Sequence, residues 1–263
     1  MQTLSRALQS RDGEGKALPV VFPTLEAMGA RFRTGQLVLI ASGPGGGKSA
    51  FATTLALRSK VPTLYLSPDS DRTTLGTRIA GSLTGDKVRD VEEALYTGKG
   101  AKFFDAIVSN TAHIRFSFDA GPTLDDIDEE VMCYERVHGR YPQLMVVDNL
   151  KDCYVEENGD GGEHVRYGRV IDYLHELTRL TGMCVVILHH LTGRYEDGEE
   201  PAPLSALLGK VGKTPRLILT IHRPDEFHMG VSIVKNSNGR MDPSGYFNTL
   251  IPYDRETQIL GGL

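Results

Sequence analysis

Only three cysteines, Cys133, Cys153 and Cys184, occur in the 263 residues, and none of them forms a C-x-x-C pair with another. That scarcity excludes both a disulfide framework and a zinc site built on cysteine pairs, so the three are read as reduced thiols, with Cys184 inside a core strand. Long hydrophobic runs are missing too. "QLVLIA" and "CVVIL" are far too short to span a bilayer, and "MQTLSRALQSRDGEGK" lacks the apolar middle of a secretory signal, so the expected location is cytoplasmic, with no membrane partner. There is no surplus of positive charge. At a formal net charge of -5, any nucleic-acid binding must come from a locally basic surface. Internal repeats are absent, and 40% hydrophobic with 24% charged residues excludes a disordered chain.

What the chain does have is regular patterning over a length that one large α/β domain can fill, because a core of this size stands alone. Residues 1–20 mix charge and glycine and read as an arm or linker, with one helical turn at most in "LSRAL"; residues 21–263 read as the domain. An apolar strand over residues 36–42 runs into a glycine loop and then a helix carrying Phe51, Leu55 and Leu57, and "TLYLS" is the next strand. Helices are expected over residues 71–83 and 88–98, and a strand at the alternating Ile114, Phe116 and Phe118. Thr123, followed three residues on by Asp126, marks a helix cap, with Leu124, Ile127 and Val131 along one face. "QLMVVDN", "CVVILHH", "RLILTIH", "MGVSIVKN" and "GYFNTLI" read as strands, and Val170, Leu174, Leu177 and Thr181 mark a long helix between the first two. Near-continuous apolar strands alternating with helices predict a mostly parallel twisted sheet covered on both faces, and the helix-free closing strands predict an antiparallel extension. Two long polar loops, "KDCYVEENGDGGEH" and "LTGRYEDGEEPAPLSALLGKVGKTP", follow strand ends, where such folds place ligands.

The stretch "LVLIASGPGGGKSAF" puts glycines where they are costly unless the backbone must bend around something. A strand-to-helix turn with converging N–H groups holds phosphate, so Gly43, Gly45, Gly46, Gly47, Lys48, Ser49 and Ala50 are expected to bind ATP. Lys48 would contact the β and γ phosphates and Ser49 the Mg2+, while Ser42 stands where strict G-x-x-x-x-G-K-S has its first glycine. Asp148, ending "LMVVD", is the expected carboxylate on the magnesium's water shell. In "YLSPDSD", Asp69 lies nearer the loop and is expected to position the attacking water; Asp71 also suits a helix cap and Asp69 a turn. Adjacent strand residues face opposite ways, so His189 and His190 do not share a metal, and His190 is the expected γ-phosphate sensor. In "IVKNSNGRMDPSG", Asn238-Gly239 signals a turn, and Lys235 with Arg240 is expected to reach the nucleotide of a neighbouring subunit.

In this order the pieces resemble the RecA-like P-loop NTPase core of DnaB-type replicative helicases, over residues 21–260. "FPTLEAMGARFRTGQLVLIASGPGGGKSAFATTLAL" resembles the family's approach to its Walker A loop, "YLSPDS" the segment carrying its catalytic glutamate, "LMVVDNL" its Walker B and "VVILHHLTGR" its sensor strand. "IVKNSNGRMDPSGYF" resembles the segment that supplies a basic finger in trans, and "FDAGPTLDDI" fits the family's strand before a helix. The resemblance implies a ring or filament of subunits, ATP and Mg2+ between neighbours, and single-stranded DNA gripped by the two long loops. It also implies replication or recombination proteins as partners, in a bacterial or phage-infected cell. Residues 151–163 are acidic, so Lys210, Lys213 and Arg216 of the second loop are the expected DNA contacts. Three departures stand out: Asp69 replaces the family's glutamate, Ser237 falls where its finger arginine would be, and the core is expected to come without the family's N-terminal helical domain.

The leading expectation is a DNA-dependent ATPase, a helicase or single-strand translocase. A non-motor recombination mediator or helicase loader is one alternative. The other is a metal-dependent nuclease using Asp69, Asp71, Asp148 and Asp152.

Overall fold

Every residue of the strand Leu37–Ser42 (β1) is buried, which requires cover on both faces of its sheet. A computed structural model shows how that cover is built; it describes residues 15–155 and 162–262. The helical turn expected at "LSRAL", the middle of the acidic loop and the side chain of Lys210 lie outside the described residues.

A short helix, α1 (Pro23–Ala27), precedes β1, and the chain leaves β1 through the glycine loop into α2 (Lys48–Ser59). It returns as β2 (Thr63–Leu66), passes through α3 (Arg72–Thr84), α4 (Val88–Tyr96) and α5 (Ala101–Thr111), and re-enters the sheet as β3 (Ile114–Ser117). Then come α6 (Leu124–His138), β4 (Leu144–Val147), α7 (Gly162–Thr181) and β5 (Cys184–His190). The helix-free end holds β6 (Leu217–His222), β7 (His228–Asn236), β8 (Asn248–Asp254) and β9 (Ile259–Leu260). The described strands form one sheet in the order β3-β2-β4-β5-β1-β6-β7-β8-β9, parallel from β3 to β6 and antiparallel beyond. This is the mixed sheet that the patterning predicts.

Strand alternation divides the core in two. Val38, Ile40 and Val146 pack with Phe51, Leu55 and Leu75 on one face, whereas Leu37, Leu39 and Val147 pack with Ile127, Val131 and Leu174 on the other. Each such buried side chain contributes about 2 kcal/mol, so packing outweighs local propensity in fixing these elements. Thr123 and Asp126 form a capping box at the start of α6. Helix α5 and strand β9 have no counterpart among the sequence expectations. Helix α5 shows no clean apolar stripe because Phe103 is buried while Phe104 and Val108 are exposed, and β9 is only two residues long. No helix among the described residues is long and apolar enough to cross a membrane.

Parallel pairing in register aligns the carboxyl ends of the central strands, with Ser42 opposite His190 and Leu66 opposite Val147. One edge of the sheet therefore collects the glycine loop, the segments after β2 and β4, and the end of β5.

Candidate nucleotide-binding site

Helix α2 starts without a side-chain cap, since its N-cap is Gly47 in the left-handed region at φ 98, so no side chain competes for the first N–H groups. The positive φ favours glycine at 47, and a Cβ there would in addition push aside the Met229 methyl carbon, 2.5 Å away. Ser42 and Gly46 form a compensating pair: a Cβ at Gly46 would fall 2.5 Å from Ser42 Oγ, so the hydroxyl occupies room that a side chain at 46 would need. Ser42 Oγ itself donates to the Gly43 carbonyl at 2.8 Å.

Lys48 is buried, and its Nζ donates to Ser42 Oγ at 3.2 Å, the Gly43 carbonyl at 3.3 Å and the Ser42 carbonyl at 3.4 Å. Burial pushes its pKa down to about 8, against the pull of Asp148 and Asp69. An ammonium group taken out of water and met mainly by uncharged oxygens favours the arrival of an anion.

Asp148, immediately after β4, is 1% exposed. Tyr65 of β2 donates its hydroxyl to Asp148 Oδ2 at 3.1 Å. Burial raises the Asp148 pKa, and the hydroxyls of Ser49 and Tyr65 oppose the rise. Asp69 lies next to it, its N–H donating to the Asp148 carbonyl at 3.1 Å and its carboxylate 3.6 Å from Lys151 Nζ. Asp71 does not join them, because it caps α3 by accepting from the N–H groups of Thr73 and Thr74. Among the described residues no group of three or more His, Cys, Asp or Glu is arranged to hold a metal ion. The four-carboxylate cluster that the nuclease reading needs is therefore corrected: Asp71 is spent on a helix start.

The two histidines separate by face. His190 lies beside Ser42 with its Nε2 buried and unpartnered, and burial, then the charges of Lys48 and Lys151, push its pKa down to about 4. His189 points the other way, its Nε2 2.8 Å from the Leu208 carbonyl and its ring edge-on to Tyr167, so it braces the second long loop.

The model of the DnaB-like helicase C-terminal domain matches residues 17–244. The chain belongs to this family. It is 40% identical over 253 residues to the Gene 65 protein of Mycobacterium phage L5, covering 93% of this chain and 92% of that one. To the Gene 65 protein of Mycobacterium phage D29 it is 41% identical over 220 residues, covering 80% and 91%. Among solved structures, a DnaB-like replicative helicase, solved with its interactions with primase, matches with a TM-score of 0.81 at 18% identity, over 99% of this chain and 66% of that one. A solved ATPase domain matches with the same TM-score and identity, and there the match covers 96% of the solved chain. The KaiC-like protein PH0186 from Pyrococcus horikoshii matches with a TM-score of 0.59 at 14% identity, over 94% of this chain and 98% of that one. These likenesses give the RecA-like fold, and family membership makes the chain an ATP-hydrolysing enzyme of the helicase kind, with a nucleotide and a divalent metal as its cofactors.

In this DnaB-like ATPase Arg216 and Lys235 sit far from the glycine loop. The Arg216 N–H donates to the Leu37 carbonyl at the start of β1, and Lys235 pairs with Ile218 near the start of β6. The six residues of β1 put about 20 Å between that edge and the loop. Lys213 and Arg216 are exposed, and Lys210 lies in a short 3-10 turn. Lys235 Nζ donates to the Gly212 carbonyl at 2.8 Å and the Lys213 carbonyl at 2.5 Å, and its stem is partly covered. Arg240 rests on the Phe247 ring at 4.3 Å. Two residues of the site escape sequence reasoning. Lys151 is hidden in an acidic stretch, and Tyr65 sits within an apolar strand that gives no sign of a polar role.

Proposed function

We propose that this DnaB-like ATPase is a DNA-dependent motor, a helicase or translocase on single-stranded DNA, whose nucleotide site is completed by a neighbouring copy in a ring or filament. The arm is assigned to residues 1–20 and the ATPase domain to 21–263. The observation that carries the reading is the gathering of buried Lys48, the Ser49–Asp148 pair and Asp69 around an uncapped helix start. Nucleotide phosphates suit that helix start and the Lys48 ammonium. The donors at Ser49 and Asp148 are hard oxygens too few to cage an ion, which suits Mg2+, a cation that keeps waters and phosphate oxygens as partners. When bound, the magnesium ion neutralises charge on the β and γ oxygens. Asp69 is placed to orient water, and His190, kept neutral by burial, offers Nε2 toward a γ-phosphate. Lys235 and Arg240, at the opposite edge, serve a neighbour's nucleotide rather than their own, and Lys235 must first release the Gly212 and Lys213 carbonyls. Lys210, Lys213 and Arg216 contact DNA phosphates, and other replication proteins are its natural partners.

Lys235, held on the Gly212 and Lys213 carbonyls of its own chain, favours a second reading, an ATP-dependent loader or recombination mediator that does not travel on DNA. Magnesium-dependent ATP hydrolysis, measured with and without single-stranded DNA, separates the two. A motor shows strong stimulation by DNA, and Lys48→Ala lowers turnover about 100-fold or more while leaving the melting curve cooperative. Hydrolysis indifferent to DNA supports the loader, and undiminished turnover in Lys48→Ala removes both readings.

A further inference from the structure

Tyr65 is fully buried in β2, opposite Val146, which stands two residues before Asp148. Residues two apart share a face of the sheet, so phenol and carboxylate lie on the same side of the strands. A buried tyrosine hydroxyl needs a partner, and this one takes Asp148 Oδ2. Packing alone gives no reason for that hydroxyl: the ring lies 5.6 Å from the Phe116 ring in an otherwise apolar cluster that a phenylalanine would fill as well. Asp148, shut off from water, faces competing attractions from Ser49 and Lys48, and the terminal torsion of a carboxylate is soft. A donor on Oδ2 decides between them.

We infer that Tyr65 is a positioning residue for magnesium, its hydroxyl holding the Asp148 carboxylate turned toward Ser49. The inference rests on the reading of Ser49 and Asp148 as the magnesium side of the site.

The test is Tyr65→Phe, with the dissociation constant of a fluorescent ATP analogue measured by equilibrium titration with and without Mg2+. Metal-free binding should stay within about twofold of wild type, while the strengthening by Mg2+ falls about tenfold and half-saturating Mg2+ for hydrolysis rises by a similar factor. Phe116→Leu is the control: it loosens the ring, keeps the hydroxyl, and should lower the melting temperature without changing the magnesium response. An unchanged magnesium response in Tyr65→Phe, an equal loss in Phe116→Leu, or failure of Tyr65→Phe to fold overturns the inference. A wild type whose binding and hydrolysis both ignore Mg2+ would instead overturn the underlying reading of Ser49 and Asp148.

Discussion

At the scale of single residues, a histidine inside an apolar strand ties stability to pH. Burial pushes the His189 pKa down to about 4, below its ordinary 6.5. Between those values the unfolded chain takes up a proton that the folded chain refuses, so stability is full above about 6.5 and falls as the solution is acidified toward 4. At pH 5 the loss is about 2 kcal/mol. Urea unfolding of wild type and His189→Gln between pH 7 and pH 5 checks this: the wild type should lose more stability on acidification, and parallel losses would show that His189 is charged in the fold. Strand alternation told that His189 and His190 face opposite ways, because a period of two is written in the sequence, but not which of them faces the glycine loop. Tyr65 was not legible in the same way. Its strand position is that of any core residue, and its partner Asp148 lies 83 residues away.

At the scale of elements, caps and strand ends sort carboxylates that look alike in sequence. Asp71 is committed to the N–H groups of Thr73 and Thr74, whereas Asp69 sits beside Asp148 with partly exposed Lys151 as its ion partner. Asp71→Ala should therefore lower the melting temperature by a few degrees and leave ATP turnover within about twofold. Asp69→Asn should do the reverse, cutting turnover about 100-fold with little change in melting, since an exposed pair contributes little stability. Comparing melting curves and steady-state ATPase rates of both variants tests the assignment; a catalytic defect in Asp71→Ala would restore it to the site. Local signals were readable here: the cap at Thr123 and the glycine loop each sit within a few residues of chain. Helix α5 was not readable, because exposed Phe104 and Val108 blur its apolar face.

At the scale of the whole molecule, the parallel sheet separates two sets of polar groups to opposite edges. The glycine loop, Asp148 and His190 share one edge, and Lys235 lies at the other, tied to carbonyls 22 and 23 residues back along the chain. No local pattern announces that tie, since it depends on how β7 returns beside the end of the second long loop. If Lys235 serves a nucleotide, the strand length between the edges requires a head-to-tail neighbour. Lys235→Ala should then bind the ATP analogue like wild type and hydrolyse ATP poorly, as Lys48→Ala does for a different reason. Mixed in equal amounts, the two inactive variants should recover about a quarter of wild-type turnover, because one random interface in four pairs an intact Lys48 with an intact Lys235. ATPase assays across a series of mixing ratios would show a maximum at equal proportions. A flat baseline would place the action of Lys235 within its own subunit, as a strut for the loop end at Gly212 and Lys213.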